Sequence, residues 1–228
     1  MKREPVVIGW SGGKDSVLAL QELLRGERYR VAALLTTLTE GYDRISVHGV
    51  RRELLHRQAA SLELPLAEVW IPPECSNQLY EERMSGALNR QRERGVRRAV
   101  FGDLFLQDVR AYRERLLERA GVEAVFPLWG RDTGELARAF VDDGFQARVV
   151  CVDSEQIDPS FAGRPYDHAF LADLPESADW CGENGEFHTF VHAGPLFRAP
   201  VPLGMGERVL RQARFQYCDL LPVPPPDQ

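Results

Sequence analysis

The sequence predicts an α/β protein with a doubly wound, mainly parallel sheet, followed by a smaller α+β region. Three observations carry this reading. Short apolar runs alternate with helix-period segments from Val6 to Phe126. The first run ends in a glycine-rich turn that opens a helix. After Pro127 the alternation gives way to turn-rich sequence. Strands separated by crossover helices pair in parallel, and their crossovers are right-handed.

Each element has a local reason. Val6–Trp10 is apolar and short, a buried-type strand, and Ser16–Leu24 follows with an apolar stripe at helical spacing. Val31–Leu35 is a second strand ending at Thr36 and Thr37, and Gly49–Leu62 a helix with Val50, Leu54, Leu55 and Leu62 on one face. Leu66–Ile71 is a strand stopped by Pro72 and Pro73, which cannot continue a ladder. Ser76–Arg94 is a polar-faced helix, Ala99–Phe101 a short strand ending at Gly102, Asp108–Gly121 a helix and Glu123–Phe126 a strand. Thr133–Asp143 (helix) and Ala147–Val152 (strand) open the second region. The expected division is 1–130, 131–221 and a proline-rich tail, 222–228, that is extended or disordered.

The chain has 228 residues, of which 44% are hydrophobic and 27% charged, with a net charge of −6. A chain this long buries roughly 70–75% of its unfolded surface and needs no staple. The acidic balance argues against nucleic-acid binding through bulk charge. No apolar stretch reaches the ~20 residues of a membrane span, and no signal segment opens the chain, so a cytoplasmic location is expected. Cys75, Cys151, Cys181 and Cys218 are scattered without a CxxC pair, which favours thiols over a disulfide framework or a zinc site. His188 and His192 lie in strand-like sequence, where their spacing does not form a helical metal pair. The arginines from Arg90 to Arg98 are interspersed with or near Glu81, Glu82 and Glu93, and read as a solvated face. Trp10, Trp70 and Trp129 fall at strand ends, placed to pack the core edge or to stack on a base.

Of the 28 basic residues only Lys2 and Lys14 are lysine. A compact ammonium enters a narrow phosphate site that a planar guanidinium does not fit. Lys14 lies in Ser11-Gly12-Gly13-Lys14-Asp15-Ser16, between a strand and a helix. Glycines there let successive N–H groups aim at an anion, reinforced by the helix N-terminus. The GxxxxGK[ST] pattern is absent; Asp15 beside a phosphate calls for an intervening cation, or else Asp15 or Ser16 caps the helix. Asp103 and Asp108 flank an apolar stretch in Gly102–Arg110, at the ligand edge of the sheet, as magnesium ligands or as a loop and helix cap. Glu183 and Glu186 bracket an Asn-Gly turn, a strong hairpin signal. Two such carboxylates can hold ammonium or another cation, take a proton from an amine, or simply solvate a hairpin tip.

The loop SGGKDS resembles the pyrophosphate loop of the adenine nucleotide alpha-hydrolase-like superfamily, the PP-loop ATP pyrophosphatases. Together with Ser46-Val47-His48-Gly49-Val50, GDLFLQDVR and GENGEFHTF it is similar, in order over most of residues 6–191, to the diphthine–ammonia ligase family. Asn184 and His188 depart from the archaeal and eukaryotic hairpin pattern and resemble the bacterial branch. The resemblance implies a ligase that turns a carboxylate into an acyl adenylate, releasing pyrophosphate, and amidates it with ammonia. It implies ATP and Mg²⁺; nucleotide contacts at Ser11, Gly12, Gly13, Lys14, Asp15, Ser16, Thr36, His48 and Gly102; catalytic roles for Lys14, Asp15, Asp103, Glu183 and Glu186; and magnesium at Asp15 and Asp103. The acid substrate is free or carried on a protein, and a homodimer is compatible with the reading. A PP-loop RNA-modifying enzyme and an ATP sensor that does not consume its ligand stand as alternatives.

Overall fold

The computed structural model describes residues 3–46 and 48–224; Val47 in the His48 motif, and the end of the proline-rich tail from 225, lie outside the described residues. The chain divides into two compact units, neither contiguous. The first comprises Met1–Ser11, Asp15–Ser46 and Leu64–Gly130; the second comprises Gly12–Lys14, Val47–Glu63 and Arg131–Gln228.

The first unit carries a six-stranded sheet. Its strands are β1 (Glu4–Gly9), β2 (Tyr29–Thr39), β3 (Arg44–Ile45), β4 (Leu66–Ile71), β5 (Arg98–Val100) and β6 (Glu123–Val125), with helices α1 (Lys14–Arg25), α3 (Asn77–Glu93) and α4 (Gln107–Arg119). Val6, Val7 and Ile8 are all fully buried, as a central parallel strand covered on both faces requires. β1 pairs in parallel with β2 and with β5, β2 with β4, and β5 with β6. The parallel order is therefore β4-β2-β1-β5-β6. β3, which the sequence reading lacks, pairs antiparallel with Leu38 and Thr39 at the end of β2. β2 is longer than the apolar run Val31–Leu35 because its second half, Leu34–Thr39, forms the ladder with β4. One core joins Val7, Leu35, Val69, Leu88, Val96, Ala99, Leu116 and Leu117.

The second unit carries α2 (Arg52–Ser61), α5 (Thr133–Asp142), α6 (His168–Asp173) and a four-stranded antiparallel sheet, β8-β7-β10-β9. Its strands are β7 (Gln146–Asp153), β8 (Phe187–Ala193), β9 (Leu203–Arg211) and β10 (Phe215–Pro222). The turn-rich texture after Val152 thus conceals two strands, β9 and β10, beside the strand-like sequence that becomes β8; β9, with two glycines and a largely exposed surface, lacks the alternation that marks a half-buried strand. The Asn184-Gly185 signal precedes β8, yet no strand lies on its N-terminal side, so the hairpin expected there is a turn leading into β8. Phe140, Tyr166, Phe170 and Phe187 pack as a ring cluster with centroids 5.1–5.9 Å apart. Arg214 grips the buried Asp153 with Nε 2.8 Å from Oδ1 and Nη2 2.5 Å from Oδ2, holding that carboxyl down at about 2. Among the described residues no helix is long and apolar enough to cross a membrane.

Candidate active site

In the first unit the strand order reverses between β1 and β5, and ligands of open parallel sheets collect at the carboxyl ends beside such a reversal. The segments leaving those two strands are Trp10–Ser16 and Phe101–Leu106. Trp10 N donates to Leu35 O at 2.7 Å, which extends the β1–β2 pairing to the edge where Thr36 begins. Thr36 is 2% exposed, and its Oγ1 has no hydrogen-bond partner among the described residues. The hydroxyls of Ser11 and Ser16 lie 3.4 Å apart. α1 begins at Lys14, so Asp15 and Ser16 sit inside its first turn and neither is the cap. Gly102 runs against that turn: a Cβ there would meet Asp15 O at 2.6 Å and Ser16 N at 3.1 Å. The close approach explains the glycine and joins the segment after β5 to the start of α1.

Asp103 behaves differently from expectation. Its Oδ2 lies 2.7 Å from Arg113 Nε and its Oδ1 accepts from Arg113 Nη2 at 3.1 Å. The Arg113 guanidinium also lies 4.4 Å from the Phe101 ring centroid. The carboxylate is thus ion-paired with Arg113 through one hydrogen bond, while its Oδ2 has no hydrogen-bond partner among the described residues.

In the second unit, Gly12–Lys14 lies along β8. Gly12 O accepts from Val191 N at 2.9 Å and from Gln58 Nε2 at 2.9 Å, and Lys14 N donates to Thr189 Oγ1 at 3.1 Å. Gln58 is fully buried and also donates to Val191 O at 2.6 Å. The positive φ of Gly12 and the closeness of Gln58, Phe190 and Leu55 leave no room for a side chain. Lys14 is 2% exposed; its ammonium donates to Cys181 O and lies 5.3 Å from the Phe187 ring centroid and 5.8 Å from that of Tyr166. A buried ammonium needs such compensation from a carbonyl and aromatic faces.

His48 stacks on His188 with ring centroids 4.4 Å apart. Burial first, then the positive Lys14, pulls His188 down to about 4. His48 is held well below its ordinary value by burial, then by His188 and Lys14, against the opposing pull of the Thr189 carbonyl. Both rings are therefore neutral at pH 7. The Nδ1 of His48, shielded from solvent, has no hydrogen-bond partner among the described residues.

The turn before β8 is organised by a residue that the sequence reading does not single out. Asp179 Oδ1 accepts from Cys181 N and Glu183 N, both at 3.0 Å, and Oδ2 accepts from the Thr133 hydroxyl at 2.5 Å. Asp179 N in turn donates to Glu186 Oε1 at 2.8 Å, which also accepts from Asn184 Nδ2 at 3.1 Å. Glu186 is 2% exposed, and its Oε2 has no hydrogen-bond partner among the described residues. One oxygen orients the carboxylate and the other is held ready for a donor. Glu183 is half-buried in the same turn.

Comparison with known proteins matches this architecture in two pieces. Residues 4–124 match the diphthamide synthase N-terminal domain and residues 132–219 the diphthamide synthase C-terminal domain. The chain belongs to the diphthamide synthase family. Among curated relatives, the human diphthine–ammonia ligase is 24% identical over 224 residues, covering 89% of this chain and 84% of the human one. The diphthine–ammonia ligase of Bos taurus is 28% identical over 105 residues, covering 44% of this chain and 39% of that one.

In this diphthamide synthase family member the N-terminal match contains the SGGKDS loop, Thr36, His48, Gly102 and Asp103, and the C-terminal match contains Glu183 and Glu186. The first unit brings Ser11 to Ser16 and Gly102 to Asp15; the second brings Lys14 to the turn of Glu183 and Glu186 and to the side of His48. As it stands, Asp103 is paired with a cation, Arg113, which opposes a second cation such as magnesium at the same carboxylate. Among the described residues no three His, Cys, Asp or Glu side chains converge as metal ligands. Gln58, Thr189, Asp179 and Arg113 escape sequence reasoning because each acts across a long stretch of chain. Asp179 alone leaves a local trace: an aspartate two residues ahead of the N–H it accepts is a turn signature.

Proposed function

We propose that the chain is an ATP-dependent ligase that adenylates a carboxylate and passes the acyl group to ammonia. The observation that supports it best is the Lys14 ammonium on the Cys181 carbonyl. The lysine of the SGGKDS loop thereby meets the turn that also holds the buried Glu186, which supports a shared role.

In this reading the N–H groups of the glycine turn and the first turn of α1 receive the phosphates of ATP. Lys14 leaves its carbonyl for a phosphate oxygen, a stronger charge-assisted contact. A carboxylate oxygen of the substrate attacks the α-phosphorus, the bond to the bridging oxygen breaks, and pyrophosphate departs with the electron pair. Lys14 offsets the charge that develops on it. The ammonium gives one proton to Glu186 Oε2, the resulting ammonia attacks the acyl carbon, AMP departs with the electron pair of the broken bond, and the nitrogen loses its second proton to water. Before that transfer Glu186 Oε2 accepts an N–H of the incoming ammonium and holds it in place. Its partner oxygen stays fixed by Asp179 and Asn184.

The named activity of the relatives concerns diphthine. Here His188 is a neutral ring stacked on His48, at a position that departs from the archaeal and eukaryotic pattern. The chemistry therefore transfers further than the identity of the acid. Sulfur transfer to RNA draws no support from Cys151 or Cys218: burial pushes the Cys151 thiol up to about 11 and raises Cys218 as well, away from reactive thiolates.

Incubation with ATP, magnesium, ammonium and candidate acids, read for AMP and pyrophosphate by mass spectrometry, tests the proposal. Lys14→Ala lowers pyrophosphate release by at least about a hundredfold, the scale of losing one transition-state donor, with the circular dichroism of the fold unchanged. Turnover by that variant at the parent rate refutes the assignment.

A further inference from the structure

A separate cationic feature lies in the first unit. Arg110 stands in the opening turn of α4, its N–H bonded to Leu106 O at 3.0 Å. Its guanidinium lies in the angle between two rings, 5.0 Å from the Phe126 centroid and 4.6 Å from that of Trp129. The rings are 5.9 Å apart and tilted. Nε donates to Glu114 Oε1 at 2.8 Å. The end-on edge, Nη1 and Nη2, makes no hydrogen bond among the described residues, and the side chain is 35% exposed. Gly130 N donates to Leu104 O at 2.8 Å, so the turn that carries Trp129 is tied to the segment following β5.

Three points make this more than a surface arginine. The neighbouring Arg113 is ion-paired with Asp103, to which its Nη2 donates, whereas Arg110 is oriented by aromatic faces and one carboxylate while its end-on edge stays open. A cation near a helix N-terminus opposes the helix dipole, so local stability does not call for it there. And the segment after β5 stands at the strand-order reversal, where open parallel sheets bind ligands.

We infer that Arg110 is a recognition site for a carboxylate, the group by which the acid substrate enters. The fork of two parallel N–H groups matches two coplanar oxygens, and ring contacts keep it pointed without a folding cost at binding. The inference rests on the ligase reading for the identity of the acid, since the phosphates of ATP already have Lys14 and the glycine turn in that reading. Trp129, one candidate for stacking on adenine, instead offers a ring face to Arg110.

The whole chain, labelled with ¹³C and ¹⁵N arginine, is titrated with sodium acetate, with inorganic phosphate and with ATP, following the arginine Nε–Cζ resonances. The Arg110 signal is identified by its loss in Arg110→Lys. Acetate is expected to move it saturably, phosphate more weakly, and acetate still to move it when ATP is bound. Trp129→Leu, with an unchanged thermal midpoint, weakens the acetate response several-fold. An Arg110 signal indifferent to acetate overturns the proposal. So does a signal moved by ATP and thereafter insensitive to acetate, which makes the residue a nucleotide phosphate contact. Neither result touches the Lys14 test, so this proposal and the ligase assignment fail separately.

Discussion

The carboxyl edge of the parallel sheet and the turn before β8 hold polar groups in place by opposite means. At the edge, position comes from packing: β1 is buried on both faces, and Gly102 runs so close to Asp15 that no side chain fits. In the turn, position comes from hydrogen bonds: Asp179 gathers two backbone N–H groups and a hydroxyl, and presents its own N–H to Glu186. The first arrangement is intolerant of volume, the second of lost acceptors. Substitutions that separate volume from hydrogen bonding therefore break the comparison or sharpen it.

The largest effect is expected for Gly102→Ala. An added methyl 2.6 Å from a backbone oxygen forces the start of α1 to move, at a cost of about 3 kcal/mol, the upper part of the overpacking range. Chemical denaturation measures it, and a loss under half that size means the edge yields more easily than packing implies. Glu186→Gln is next. The amide oxygen still accepts from Asp179 and Asn184, so the fold stands, but the negative charge at Oε2, the proposed ammonium acceptor, is gone. The KM for ammonium rises roughly tenfold to a hundredfold, the range for a hydrogen bond to a charged group, with the KM for ATP unchanged.

Asp179→Ala strands two N–H groups and lowers unfolding stability by about 1–2 kcal/mol, whereas Asp179→Asn keeps its accepting oxygen and loses less. Equal losses for the two would contradict the acceptor role. A separate effect is on acid stability. Burial holds His188 and His192 down to about 4 in the folded chain, while unfolded histidine binds its proton near 6.5. The unfolded state therefore takes up more protons between those values, and stability falls as pH drops from about 6.5 to about 4. Asp153, held at about 2 by Arg214, adds a further loss as pH falls from 3.8 toward 2. A thermal midpoint that is flat from pH 7 to 4 shows the histidines to be better solvated than their packing suggests.

Much of the first unit was legible because its signals are local. Val6, Val7 and Ile8 announce a strand buried on both faces, Pro72 and Pro73 stop β4 where they stand, and two glycines before Lys14 mark a turn that opens a helix. The strands after Val152 were harder to read. β9 is exposed and glycine-bearing, and its pairing with β10 is set by ladder partners rather than by its own pattern. The Asn-Gly signal marked the turn correctly but named the wrong motif, because Asp179 rather than a preceding strand closes it.

The sequence by itself determined the parallel α/β class, the glycine-rich loop between β1 and α1 and the family's ordered motifs, all properties of neighbouring residues. Tertiary structure alone decided that the Lys14 ammonium meets a carbonyl 167 positions away, that His48 stacks on His188, that Arg113 takes the Asp103 carboxylate, and that Arg110 keeps an open fork. The physical reason is common to all four. A charge or ring takes its partner from whatever packing brings within a few ångströms, and distance along the chain carries no trace of that choice.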